Sequence, residues 1–144
     1  MADFTCTTAK FSLCDPQRAA IKPRRYHQTI TAGQAVFLNT SGEAALAAAN
    51  ATSYLFHGLA MQSRLASEVG DIFEGGLGLG AECAGFEVSG ANPSAIVYLS
   101  NTYGALASAA GTVIVRVGEV SALTDPDNTH NLRIWPISAD VTYR

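Results

Sequence analysis

Thr112-Val113-Ile114-Val115-Arg116-Val117-Gly118-Glu119-Val120 is the most strand-like stretch of the chain. Its β-branched residues have restricted χ1 angles and suit a pleated backbone. Period-two alternation puts Val113, Val115 and Val117 on one face, and Ile114, Arg116 and Gly118 on the other. The flanks agree. Upstream, Ala91-Asn92-Pro93-Ser94 is a turn and Ile96-Val97-Tyr98-Leu99 a strand. Asn101 to Gly104 turns again, and Ala105 to Ser108 returns. Downstream, Asp125-Pro126-Asp127-Asn128 is a turn cluster. Leu132 to Ile137 reads as a final strand; Pro136 cannot donate to a ladder, so it lies at an edge or ends there.

The same grammar runs through the earlier chain. Thr29 to Thr31 leads into the Ala32-Gly33 turn, and Gln34 to Leu38 reads as a strand. Asn39-Thr40-Ser41-Gly42 turns, and Glu43 to Leu46 returns as a hairpin. The alanines of 44–51 also suit a short helix; we place the hairpin first and a short helical or loop piece after it. Tyr54 to Ala60 is apolar. Val69 to Glu74 alternates around a Gly70-Asp71 break, and Gly75 to Gly80 alternates glycine with leucine. Cys83 to Ser89 alternates with Cys83 and Gly85 on one side, and Ala84 and Phe86 on the other. About seven to nine short strands predict an all-β fold, a small antiparallel β-barrel or sandwich of short hairpins. Residues 29–144 read as a single β domain, and residues 1–28 as an extended N-terminal arm. Within that arm Pro23 disfavours helix at the residue before it. Val36 to Ala47 also echoes Val97 to Ala107: an aromatic-bearing strand, a polar turn and a small-residue return.

A chain of 144 residues is room for one domain. Hydrophobic residues make up 48%, but 24 of them are alanine, so one modest core is available. Only 15% of residues are charged, against the usual quarter. Charge normally keeps monomers apart, so this surface suits contact with other proteins. No run of 18 apolar residues occurs, which excludes a spanning helix. Met1 to Cys6 lacks a basic-then-apolar pattern, so no secretory signal is expected. Cys6, Cys14 and Cys83 form no C-x-x-C pair and read as reduced thiols, although Cys6 and Cys14 are spaced to bond in principle. Charge is unevenly placed. Residues 1–30 hold Lys10, Arg18, Lys22, Arg24 and Arg25 against Asp3 and Asp15; the other 114 hold four basic and ten acidic groups. The basic segment suits nucleic acid, another protein or the acidic body of a neighbouring copy. Too few cations cluster there for a nucleic-acid site.

No catalytic constellation emerges. The glycines of 75–80 have acidic neighbours and no following helix, so they do not make a dinucleotide fingerprint. His27, His57 and His130 lack metal-site spacing. Asp125 and Asp127 lack a calcium-loop pattern, and no G-x-S-x-G elbow exists. We therefore expect no enzyme, no metal and no cofactor. Trp135 reads as a core aromatic, while Tyr26 beside Arg25 and Tyr143 beside Arg144 suit protein interfaces.

Ala32-Gly33-Gln34-Ala35-Val36-Phe37-Leu38-Asn39-Thr40-Ser41-Gly42-Glu43-Ala44-Ala45-Leu46-Ala47 resembles the opening of tailed-bacteriophage capsid decoration (cement) proteins. Val97 to Asn101 with Gly104-Ala105-Leu106 is similar to their second hairpin. Val115 to Val120 is similar to their closing strand. The resemblance spans about residues 30–120. Tyr54 to Glu82 matches only approximately, and residues 1–28 lie outside the pattern. The resemblance implies a non-enzymatic all-β virion protein, made in the host cytoplasm and placed on the capsid exterior. Its implied partners are the major capsid protein and copies of itself, as a homotrimer at local threefold positions, with no nucleic acid and no membrane. Arg18, Lys22, Arg24, Arg25 and Tyr26 are the expected contacts, on an arm whose removal leaves the body folded. The alternative is a host- or glycan-recognising β module of a head fibre or tail.

Overall fold

Every regular element among the described residues is a strand, in a computed structural model that describes residues 3–6, 11–14, 19–51, 56–76, 81–87, 94–124 and 130–135. In chain order these are β1 (Thr5–Cys6), β2 (Ser12–Leu13), β3 (Ala19–Arg25), β4 (Ala35–Leu38), β5 (Ala44–Leu46) and β6 (Gly58–Ala60). They continue as β7 (Val69–Gly76), β8 (Ala81–Glu87), β9 (Ile96–Leu99), β10 (Leu106–Ala107), β11 (Arg116–Thr124) and β12 (His130–Ile134). They form two antiparallel sheets, one of them curled into a half-barrel. The larger has seven strands in the order β1-β8-β12-β11-β9-β10, with β2 also on β8. The smaller has five, in the order β3-β7-β6-β4-β5. The all-β expectation holds.

Both echoing hairpins form. β4 and β5 pair Val36 with Leu46 and Leu38 with Ala44. Asn39 Oδ1 accepts from Ser41 N at 3.0 Å and Glu43 N at 2.9 Å, and Gly42 takes a φ of 77°. This side-chain turn commits Ala44 to Leu46 to a strand despite alanine's helix propensity. β9 and β10 pair Leu99 with Leu106. The hairpins lie in different sheets and touch: Ala35 N donates to Gly104 O at 2.9 Å, and Gly104 N to Ala47 O at 2.8 Å.

Two local expectations change. Gly70-Asp71 does not break a strand; β7 runs continuously from Val69 to Gly76. Gly70 is required by packing, because a Cβ there would lie 2.8 Å from the Tyr26 ring. Simple alternation over 83–86 also fails, since Cys83 and Phe86 are both buried in one core. The β8–β12 register shifts between His130/Phe86 and Leu132/Cys83, and Gly85 has a φ of 108°. Such an irregularity changes which residues face the core. β12 lies between β8 and β11 and ends at Ile134. The Asp125–Asn128 turn, the Leu77–Gly80 stretch and Pro136 lie outside the described residues.

The larger core cluster joins the sheets, with Leu59 and Phe73 of the smaller meeting Phe86, Leu99, Val117 and Leu132 of the larger. Val115 and Val117 are buried and Ile114 is exposed, as the opening stretch predicts. Trp135 packs half-buried against this core. A second cluster lies on the opposite face of the smaller sheet: Tyr26, Ile30, Val36, Ala44, Ala60 and Ile72. Neighbours along one strand, such as Phe73 and Ile72, thus face different cores.

Residues 1–28, expected as an arm, supply strands to both sheets wherever they are described. Phe4 is buried, Phe4 N donates to Leu106 O at 2.8 Å, and Asp3 bridges Ala107. β1 and β2 pair with β8, and β3 pairs with β7. The segment is extended because it is sheet. Apolar residues too sparse to declare a strand, such as Phe4 and Tyr26, nevertheless bury against partners far along the chain. Removing residues 2–28 would therefore strip both cores, and the body is not expected to survive it.

Tyr26→Phe should cost about 1 kcal/mol, because the hydroxyl that donates to Gln62 O at 2.8 Å is lost. Gly70→Ala should cost more, since the buried ring has no room to retreat. Urea unfolding with unchanged m-values checks both. A Gly70→Ala chain as stable as the parent would show that the ring does not need the glycine.

Candidate docking surface

The residues expected to touch a partner share β3 and its end, but they do different work. Tyr26 has no exposed surface. Burial raises its phenol pKa. It is a core residue, and its ring is unavailable to a partner. Arg24 is half-buried and directed inward. Its Nη2 and Nε lie 3.0 and 3.1 Å from Glu74 Oε2. His57 Nε2 lies 3.1 Å from the same oxygen, off the hydrogen-bond direction. Arg24 is thus balanced by a well-covered carboxylate and offers little charge outward. Arg18 lies outside the described residues.

Lys22 and Arg25 remain exposed. Arg25 Nη1 donates to Ser67 O at 2.8 Å, which fixes the guanidinium beside the 64–69 turn. That turn is heavily tied. Tyr26 N donates to Glu68 O at 2.8 Å, and Ser67 N to Tyr26 O at 2.7 Å. Glu68 Oε1 accepts from Leu65 N at 2.7 Å, and Arg64 Nη1 and Nε donate to Ser63 O and Val69 O. Ser67 holds a φ of 73°, a left-handed geometry that serine adopts at a cost. The outcome is a braced tip that leaves Leu65 63% and Val69 52% exposed. Behind it lies a shallow cavity of about 170 Å³ floored by Ile30 and walled by Leu65 and Arg64. A braced apolar pair beside fixed cations can dock on a protein at little cost in ordering.

Sequence reasoning did not single out Leu65 or Val69. The available signal was a lone leucine in the polar stretch from Ser63 to Glu68. Glu74 and His57 had none, since their roles depend on each other and on Arg24, which is 50 residues from Glu74.

A second cavity of about 260 Å³ lies between the sheets, bounded by Phe4, Cys6, Gly33, Gln34, Phe86 and Tyr103. None of its described lining residues is charged. Among the described residues, no group of three or more His, Cys, Asp or Glu side chains could hold a metal ion. Aspartates 125 and 127 lie outside that set. On the far hairpin, the Glu43 carboxyl is held below its usual pKa, mainly by the hydrogen bond from Asn39 and then by His27.

None of the three cysteines is in a disulfide. Cys6 lies opposite Phe86, while Cys14 N donates to Glu82 O. Four residues of β8 separate these points, roughly 13 Å, which is too far for a disulfide. Burial pushes the Cys6 thiol up to about 11.

Comparison with protein-family models, with curated proteins and with solved structures found no match to this chain.

At pH 8 a thiol-specific disulfide reagent should label exposed Cys14 first, with Cys6 and Cys83 reacting only on unfolding. Cys14→Ser should remove the fast phase. Because the folded chain holds the Cys6 proton more tightly than the unfolded chain, its contribution to stability is full below pH 9. That contribution should fall as pH rises through about 11, and Cys6→Ala should flatten that limb of a stability profile.

Proposed function

We propose that this chain is a structural virion protein. In this reading it binds the outer surface of a bacteriophage icosahedral capsid, and it stabilises the shell by clamping neighbouring major capsid protein subunits. The observation that carries the reading is the braced tip: Leu65 and Val69 stand out from a turn tied to Tyr26, with Arg25 fixed beside them. It supports a docking protein because exposed apolar groups flanked by cations suit a protein surface. The resemblance of the 32–47 and 97–106 hairpins to decoration proteins supports the capsid as that surface.

The physics of such a role is simple. A protein that binds the assembled shell and not free subunits shifts assembly by mass action. With few charges to desolvate, many modest contacts add up over repeated copies. In this reading the chain assembles as a homotrimer on the capsid exterior, and it needs neither nucleic acid nor membrane.

Because the N-terminal strands belong to the fold, the test uses point substitutions. Leu65→Asp combined with Arg25→Glu should leave the unfolding midpoint nearly unchanged. Burying one leucine contributes roughly 2 kcal/mol, so the loss should be at least about thirtyfold per contact. The measurement is co-sedimentation with heads of the phage that encodes the chain, with electron microscopy of the pelleted heads. Full decoration by the double variant would remove the tip from the interface. No decoration by the parent chain, together with binding to host cells or glycans, would replace the capsid reading with the fibre-module one.

A further inference from the structure

Arg25 and Arg64 are both anchored on the 64–69 turn and its flanks. No ion pair among the described residues includes either of them. Arg25 Nη1 donates to Ser67 O at 2.8 Å. Arg64 Nη1 donates to Ser63 O at 3.0 Å, and its Nε to Val69 O at 3.3 Å. A guanidinium carries more N–H donors than these bonds use. Carbonyl oxygens thus fix both groups in place without cancelling their charge. Arg24 differs, because its ion pair with Glu74 is made within the fold. The pull of Arg25 on the Glu43 carboxyl ranks behind those of Asn39 and His27. Glu68 is the carboxylate of the turn, and its Oε1 accepts from Leu65 N. Two guanidinium groups against one carboxylate leave the tip net positive.

The cavity beside them is framed by the chain itself. Ile30 and Arg64 form an antiparallel bridge, with Ile30 N donating to Arg64 O at 3.1 Å and Arg64 N to Ile30 O at 3.0 Å. Ala32 N donates to Ser63 Oγ at 3.0 Å. These bonds hold residues 29–31 against residues 63–65, the two walls of the cavity. Its volume is about 170 Å³. About 150 Å³ is enough for a benzene-sized group, so one apolar side chain fits. Exposed Leu65 and Val69 add apolar surface on the same turn.

We propose that the tip docks an acidic segment of a partner protein, one in which an apolar side chain is flanked by carboxylates. The apolar side chain enters the cavity over Ile30, and the carboxylates meet the unused N–H groups of Arg64 and Arg25. Charge complementarity selects this occupant. A basic segment would face two fixed guanidinium groups, and an uncharged one would leave their donors unused. The guanidinium fork also matches carboxylate geometry. Because backbone carbonyls already hold both arginines, little side-chain freedom is lost on binding. The inference rests on the reading of the tip as a protein-docking surface and adds the chemistry of its partner.

The probes are two capped hexapeptides with the same central leucine pair, flanked by glutamates in one and by lysines in the other. Each is titrated into the full chain at neutral pH and followed by amide NMR signals. The glutamate peptide should shift the Leu65, Glu68 and Val69 amides, and bind at least about tenfold more tightly than the lysine peptide. Raising salt from about 0.01 to about 1 M shortens the screening length from about 30 to about 3 Å and should erase most of that preference. Glu68→Gln keeps an acceptor for Leu65 N and removes the tip's own negative charge. The glutamate peptide should bind that variant about twofold more tightly or better. Equal affinity for the two peptides overturns the proposal. So does a tip unmoved by the glutamate peptide at millimolar concentration, or a Glu68→Gln chain that binds it no more tightly. Tip signals that move with protein concentration alone assign the surface to a second copy and overturn it equally. No capsid enters the titration, so the two readings fail separately. Heads decorated through the tip while the peptides bind alike would keep the capsid reading and remove this one.

Discussion

The buried phenol of Tyr26 is the constraint on which the smaller sheet depends. Its backbone bridges Ala44 at the far edge of that sheet, while β3, which it ends, pairs with β7 at the near edge. One residue thus links the first and last strands. Its ring fills the interior of the second core, and its hydroxyl satisfies Gln62 O. Gly70 exists to admit the ring, and the 64–69 turn is shaped by bonds to the Tyr26 backbone. The exposed tip is rigid because the tyrosine beneath it is buried. A core residue therefore positions the candidate surface without touching a partner.

The larger sheet uses an analogous device at its start. Asp3 and Phe4 pair with Ala107 and Leu106, while Thr5 and Cys6 pair with β8. Ser100 is fully buried, donates to Asp3 Oδ1 at 2.5 Å and accepts from Thr102 N at 3.0 Å. That carboxylate holds the N-terminal strand against the β9–β10 turn. In both sheets the chain's first residues link edge to edge, which reduces the open backbone that invites aggregation.

This arrangement explains which parts of the fold were legible. The 35–46 and 96–107 hairpins were readable because their signals are local: an Asn or Ser whose side chain replaces a backbone partner, a glycine at positive φ, and strands on either side. The exposed Ile114 and buried Val115 and Val117 followed from alternation alone. The N-terminal segment was not readable as sheet, because Lys22-Pro23-Arg24-Arg25 has no apolar face of its own. Its strand character comes from β7, which lies 44 or more residues away in sequence. The charge of Arg24 could not be discounted without Glu74, and the buried ring of Tyr26 could not be foreseen without Gly70. Of the candidate site, the basic residues were visible and the apolar tip was not. Leu65 gains its meaning from the bonds that hold its turn, not from its neighbours in sequence.

The division of labour along β3 follows from strand geometry. Period-two alternation sends Lys22 and Arg24 to one face, and Ile21, Pro23 and Arg25 to the other. Backbone direction alternates with the same period, so the outward-bonding residues are also Ile21, Pro23 and Arg25. A proline at position 22 or 24 would remove a bond to β7, whereas at position 23 it removes only an outward donor. The charged side chains then act by place. Arg24 ties β3 to Glu74, Arg25 braces the 64–69 turn, and Lys22 is exposed. A segment whose composition suggests a free basic arm is, in physical terms, an edge strand whose cations Lys22, Arg24 and Arg25 go in turn to solvent, sheet and tip.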